Sequence, residues 1–301
     1  MIPYFIANPI FFITVVSILG LLVGSFLNVV IHRLPLMLEK QWGEQCRLLL
    51  EEHNANEAIS SETDSAAAKP DKPYNLIWPG SHCPNCQHVI RSWQNIPIIS
   101  YLFLGGKCSG CRQSISIRYP LVELTSGILA AAIAVNFGVT LQTLWALLLM
   151  WSLLSLTMID IDHQLLPDNI TLPLLWLGLV LNLFGQFVSI EDALWGVIGG
   201  YLSLWLVYWG FKIATGKEGM GYGDFKLLAA LGAWMGFQML PLIILMSAFV
   251  GAVIGVFMIV LQGRDKEIPI PFGPYLAAAG FIALLWGDTL VSSYLQFAGL
   301  Q

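Results

Sequence analysis

The sequence predicts an all-α polytopic membrane protein of about eight transmembrane helices, with a small cysteine-rich domain between the first and second. Three observations point to this class. Hydrophobic residues make up 56% of the 301 positions and charged residues only 11%, unlike an ordinary soluble domain. The apolar residues gather in runs of roughly 20, the length a helix needs to cross about 30 Å of hydrocarbon. Most lysines and arginines fall in one polar stretch, which also holds two Cys-x-x-Cys pairs.

Taken in order, the first span covers residues 10–31 and runs into Gly24-Ser25-Phe26-Leu27-Asn28-Val29-Val30-Ile31-His32-Arg33-Leu34-Pro35. Gly20 and Gly24 have the four-residue spacing of small residues at close helix contacts. No lysine or arginine precedes Ile10, so there is no basic n-region and no cleavable signal is expected. Residues 36–118 form a polar domain that includes Lys40, Arg47, Arg91, Lys107, Arg112 and Arg118. Within it, residues 51–73 are rich in Glu, Ala, Ser, Asp, Lys and Pro and are expected to be a flexible insertion. The remaining spans are predicted at 121–136, 141–159, 170–188, 193–213, 225–236, 240–262 and 275–297. The sixth of the eight, 225–236, is short and glycine-rich, and is expected to be tilted or only partly spanning. The organisation expected is a first helix in 1–35, a cytoplasmic domain in 36–118 and a seven-helix membrane domain in 119–301.

If the spans alternate in direction, every lysine and arginine falls on one side, while Glu191, Asp192 and Asp288 fall opposite. The positive-inside rule makes the basic side cytoplasmic, with both termini outside. The net charge of -5 says little beside this distribution. The bilayer is the expected environment, no nucleic-acid partner is expected, and no internal repeat is apparent.

The apolar run is broken at Gly219-Met220-Gly221-Tyr222-Gly223-Asp224-Phe225-Lys226. Three alternate glycines leave the backbone free to bend and let helices approach closely. An ionisable group at the mouth of a membrane helix is costly, which makes Asp224 a candidate functional group. Asp160, at the end of the third span, lies at the same depth on the same predicted face. Two carboxylates a few ångströms apart in a weakly polar site share one proton. Such a pair supplies a general base and a general acid for peptide hydrolysis without a covalent intermediate, and it titrates as a unit. Asp162, His163 and Asp168 are expected at the boundary as solvated or capping groups. Glu123 is a second-rank candidate, expected to pair with Arg118 or Lys107 or to line a polar cavity.

Cys83-Pro84-Asn85-Cys86 and Cys108-Ser109-Gly110-Cys111 aim two thiolates each from a short turn, the donor set of structural tetrahedral zinc. Such a closed site would fold the small domain. Thiol redox work is the rival use, and Cys46 stands alone.

At these residues the sequence resembles the type IV prepilin peptidases. The likeness is carried by the first-span end GSFLNVVIHRLP, the paired CxxC, and the aspartate motifs IDIDHQLLPD and GYGD. It covers nearly the whole chain, apart from residues 51–73. The resemblance implies an aspartic enzyme of the bacterial inner membrane. It would cut the basic leader from prepilins and pseudopilins on the cytoplasmic side, then methylate the new N-terminal residue with S-adenosylmethionine. The catalytic aspartates would fall on Asp160 and Asp224, and the zinc-type cysteines on Cys83, Cys86, Cys108 and Cys111. No glycine-rich nucleotide turn supports the methyl-donor site, so that activity follows from the resemblance alone. A proton-coupled transporter using the two carboxylates as a relay is the alternative. It predicts further polar residues along a path, yet the outer halves of the spans hold few ionisable groups. A non-enzymatic zinc-domain scaffold would leave the GYGD acid without a purpose.

Overall fold

Long apolar stretches with few internal breakers fold here as helices. The computed structural model describes residues 2–57, 74–83, 85–262 and 271–299. A short α1 (Ile2–Ala7) leads into α2 (Pro9–Glu57). The brief α3 (Ile99–Phe103) lies in the cysteine-rich segment. The remaining helices are α4 (Arg118–Phe137), α5 (Leu141–His163), α6 (Asp168–Leu183), α7 (Ile190–Thr215), α8 (Tyr222–Met235), α9 (Leu240–Gln262) and α10 (Gly273–Phe297). Among the described residues the only β-structure is two isolated bridges, His82 with Val89 and Lys107 with Ser114.

A helix thus stands at each of the eight predicted spans, but six are long and apolar enough to cross a membrane. The other two, α6 and α8, have 16 and 14 residues. At 1.5 Å per residue they reach only about 24 and 21 Å. For α8 the packing explains this. From Asp224 to Met235 nearly every residue is buried, enclosed by α6, α7 and α10. A helix wrapped in protein need not match the thickness of the hydrocarbon.

The chain divides into two units, Met1–Gly24 with Leu124–Gln301, and Ser25–Glu123. In the first unit, glycines set the closest helix contacts. Gly196 and Gly200 of α7 face α8 four residues apart, and Cβ atoms at Gly196 or Gly232 would run into each other's backbone. In α2, a methyl at Gly20 would lie 2.6 Å from Ala130 Cβ, and Ser126 Oγ donates to the Gly20 carbonyl at 2.6 Å. At one end of α8, Asn182 Nδ2 donates to the Ala233 carbonyl at 2.8 Å. Its Oδ1 accepts from the Phe187 and Val188 amides, so this buried amide is satisfied.

In the second unit, α2 does not stop near Pro35 as the sequence suggested but continues to Glu57. Residues 36–52 are mostly strong helix formers, and Arg47 pairs with Glu51 one turn on at 3.4 Å. The first residues of the expected insertion are therefore helical, and 58–73 lie outside the described residues. Arg264 and Lys266, used in the charge count, lie outside them too. Glu123 accepts the Ile98 N–H at 2.8 Å, and nearby the Ser25 hydroxyl donates to the Asn95 carbonyl at 3.4 Å. That carboxylate holds the amide of an Ile at φ 58°, a backbone region β-branched residues avoid.

Candidate active site

Asp160 stands in the last turn of α5, one turn before the helix stops. Gln164 terminates it in the left-handed conformation and donates its N–H to the Asp160 carbonyl at 2.9 Å. The Asp160 side chain is 5% exposed. It accepts the Gly273 N–H on Oδ2 at 3.0 Å. Gly273 is the first residue of α10, so this amide is one a helix start leaves without an intrahelical partner. The carboxylate therefore sits at the positive end of the α10 dipole. A side chain at Gly273 would exclude it: a Cβ there would lie 2.6 Å from Asp160 Oδ2.

Asp224 lies in the first turn of α8 and is 6% exposed. One side chain borders the surroundings of both acids. Leu166, in the link after α5, would meet a methyl on Gly223 at 2.8 Å and one on Gly273 at 3.1 Å. The structure thus brings the two sequence-selected aspartates to one end of the helical unit, from helices far apart in the chain. Of the three alternate glycines before Asp224, none has a left-handed backbone. Gly219 and Gly223 serve close approach instead, to Phe211 and Leu166.

Two charged clusters flank this end of α8. Lys226 Nζ contacts both oxygens of Asp168, at 2.8 and 2.7 Å. Asp168 is therefore an ion-pair partner at the start of α6, more than a solvated cap. On the other side, Lys212 Nζ donates to Glu218 at 2.7 Å and to the Tyr208 hydroxyl at 3.2 Å, and lies over the Tyr208 and Trp209 rings. The hydrogen bond from Lys212 holds the Glu218 carboxyl below its usual range. This fixes the loop between α7 and α8 just ahead of Asp224. Phe225, fully buried, stacks its edges on Tyr201, Tyr208 and Tyr222 with ring centroids 5.4–5.8 Å away. Asp162 and His163 are exposed at the end of α5.

Sequence reasoning passed over Gly273, Leu166, Lys226 and the Lys212 cluster. Only Gly273 carried a usable signal, the Gly273-Pro274 step that opens an apolar run.

In the second unit the four cysteines converge. Their sulfur atoms all lie within 4.8 Å of one another, with Cys83–Cys111 at 3.8 Å and Cys86–Cys108 at 3.9 Å. A tetrahedron with Zn–S of about 2.3 Å has S–S edges of about 3.8 Å, so this cluster could hold a metal ion of that kind. The two pairs are built alike. Cys83 N–H bonds to His88 O and Cys108 N–H to Gln113 O, at 2.9 and 2.8 Å. Gln87 and Arg112, each following the second cysteine, take φ of 58° and 57°. This is a local repeat that inspection of the sequence did not reveal. The Cys86 and Gln113 N–H groups, respectively, hold the Cys83 and Cys111 thiols below the usual range. The Cys86 thiol is pushed up to about 11. The His88 N–H draws it down, but desolvation and the neighbouring sulfurs outweigh that.

A helical unit with membrane-length apolar helices that buries two aspartates from different helices at one end, in a chain with a four-cysteine cluster, defines a polytopic helical membrane protein. Comparison with known proteins gives the particular family. Residues 18–137 match the bacterial peptidase A24 N-terminal domain, and 147–256 match the type IV leader peptidase family. The chain is 57% identical over 299 residues to the prepilin leader peptidase/N-methyltransferase of Stutzerimonas stutzeri, covering 99% of each chain. It is 55% identical to that of Pseudomonas aeruginosa over 301 residues, covering 100% of this chain and 99% of the relative. It is 44% identical to that of Legionella pneumophila over 289 residues, 96% of each. The chain belongs to the type IV leader peptidase family. No solved structure matches it.

Proposed function

We propose that this protein removes the leader from type IV prepilins and pseudopilins at the cytoplasmic face of the bacterial inner membrane, then N-methylates the new N-terminal residue. The observation that carries the peptidase reading is the burial of Asp160 and Asp224 at one end of the helical unit, with Leu166 against Gly223 and Gly273, the glycines beside them. One carboxylate takes a proton from water as the oxygen attacks the scissile carbonyl. The other, protonated, gives its proton to the carbonyl oxygen. Collapse of the tetrahedral species returns a proton to the leaving nitrogen, and the C–N bond breaks. The roles belong to the pair, and neither residue is assigned one alone. The Gly273 N–H orients Asp160, and Leu166 with the flanking ion pairs fixes the helix starts.

Cys83, Cys86, Cys108 and Cys111 would hold a structural zinc ion, which in a four-sulfur site supplies folding energy and no open coordination position. The methyl transfer, with S-adenosylmethionine as donor, rests on the names of the relatives, and no residue here is assigned to the donor. The transporter alternative finds no support in a family of leader peptidases.

The test uses Asp160→Asn and Asp224→Asn separately, purified in detergent with a prepilin peptide and a labelled methyl donor. Each change is expected to abolish cleavage while the protein still inserts and binds zinc. The wild type should incorporate label into cleaved pilin. Full cleavage by either variant removes the carboxylate pair from the mechanism.

A further inference from the structure

We propose that Lys226 and Asp168 form a positioning tie that sets the separation of the Asp160 and Asp224 carboxylates, an inference that rests on the peptidase reading above. The tie joins the start of α6 to the N-terminal part of α8. Asp168 opens α6, directly after the link that leaves the Asp160 helix. Lys226 lies two residues beyond Asp224 on the buried α8. A single ammonium bridges both oxygens of Asp168, at 2.8 and 2.7 Å.

The contact closes a ring of short steps. It runs from Asp160 through the Gln164 cap and Leu166 to Asp168, across to Lys226, and back along α8 to Asp224. Leu166 is the spacer inside this ring, in contact with Gly223 on one side and Gly273 on the other. Gly273 in turn donates to Asp160. If Asp168 is released from Lys226, the link loses the anchor at its far end. Leu166 is then free to shift, and the two helix starts shift with it. Lys226 lines an apolar pocket with Leu172, Leu175, Val197, Tyr201 and Ala229, a surface on which a lysine stem can pack while its ammonium reaches Asp168.

This tie does not act through stability. The Lys226 and Asp168 side chains are 30% and 50% exposed, and ion pairs that exposed contribute little to folding. What such a contact can do is hold register. Misplacing reacting groups by about 1 Å costs on the order of 100-fold in rate. The tie therefore predicts a loss in kcat with folding and substrate affinity kept.

Full-length protein in detergent is assayed on a prepilin peptide as wild type, Asp224→Asn, Lys226→Met, Lys226→Arg, Asp168→Asn and the double variant Asp168→Asn/Lys226→Met. Cleavage by the wild type and none by Asp224→Asn establish the underlying peptidase reading; a wild type without cleavage overturns that reading and the tie together. With the enzyme active, Lys226→Met and Asp168→Asn are each expected to lower kcat about 2- to 5-fold, the most that an ion pair worth up to about 1 kcal/mol can enforce on the geometry. KM should stay within about twofold and the thermal midpoint within a few degrees. The double variant should be no slower than the slower single, because both remove one contact. Lys226→Arg, which keeps the positive charge and can reach both oxygens of Asp168, should recover most of the rate. Asp168→Asn changes almost no volume, so it decides the matter if Lys226→Met fails to fold. Wild-type kcat in Asp168→Asn, losses that multiply in the double variant, or a loss confined to KM would each overturn the tie.

Discussion

Gly273→Ala puts one methyl group where the structure leaves room for none. Its Cβ would stand 2.6 Å from Asp160 Oδ2 and 3.2 Å from Asp160 Cγ, against ordinary contacts of 3.4–4 Å. The nearest relief is for the carboxylate to swing away, which breaks the 3.0 Å hydrogen bond from the Gly273 N–H. A hydrogen bond to a charged group is worth about 1.5–3 kcal/mol. At about 1.36 kcal/mol per decade, the expected fall in kcat is roughly 10- to 150-fold. The backbone gives no second reason for a loss. Gly273 has no positive φ, and alanine is favoured over glycine in a helix by about 1 kcal/mol. The lost bond and the crowding of Leu166, whose Cδ2 would lie 3.1 Å from the new methyl, should also lower the melting temperature by a few degrees while the variant stays folded. The assay is single-turnover cleavage of a prepilin peptide beside thermal unfolding in the same detergent, with Gly210→Ala as the control. A Cβ at Gly210 meets nothing within 4 Å, so that variant should cleave at the wild-type rate. A fully active, normally folded Gly273→Ala enzyme would refute the claim that this amide positions Asp160.

The remaining expectations concern packing and metal. Gly196→Ala should lower the thermal midpoint, by a cost of about 1–3 kcal/mol for overpacking, because the added methyl meets the Gly232 carbonyl. Unchanged melting would mean α7 and α8 do not approach as closely as described. Cys83→Ser should reduce bound zinc, measured by elemental analysis, with Asp160 and Asp224 left intact. Metal retention in the wild type should fall as the pH falls, since protons compete with the metal for the four thiolates. Zinc content equal to wild type in Cys83→Ser would count against the four-sulfur site.

Much of the helical plan was legible because it is written in local composition. Apolar runs of membrane length mark α4, α5, α7, α9 and α10, and their predicted positions agree with the structure to within a few residues at most ends. The C-terminus of α2 was not legible: a proline after a span reads as a stop, but the helix formers behind Pro35 carry it on to Glu57. Nor did composition distinguish a helix that faces lipid from one enclosed by protein, so α8 reads as a short span. The two aspartates stood out as charges at the edge of apolar runs. Gly273, Leu166 and Lys226 did not, since an ordinary glycine, leucine or lysine acquires its role only from what lies against it.

By itself the sequence determined what every residue carries with it: hydrophobic length, the placing of charge, the paired cysteines, and two acids too costly to leave in a membrane without a use. These depend on neighbours along the chain. The tertiary structure alone decided that the Asp160 carboxylate meets an amide 113 residues away. It also decided that Leu166 separates two helix starts, and that Lys226 closes on Asp168. Such contacts come from helices packing through glycine-sized gaps, and no linear pattern records which gap faces which side chain.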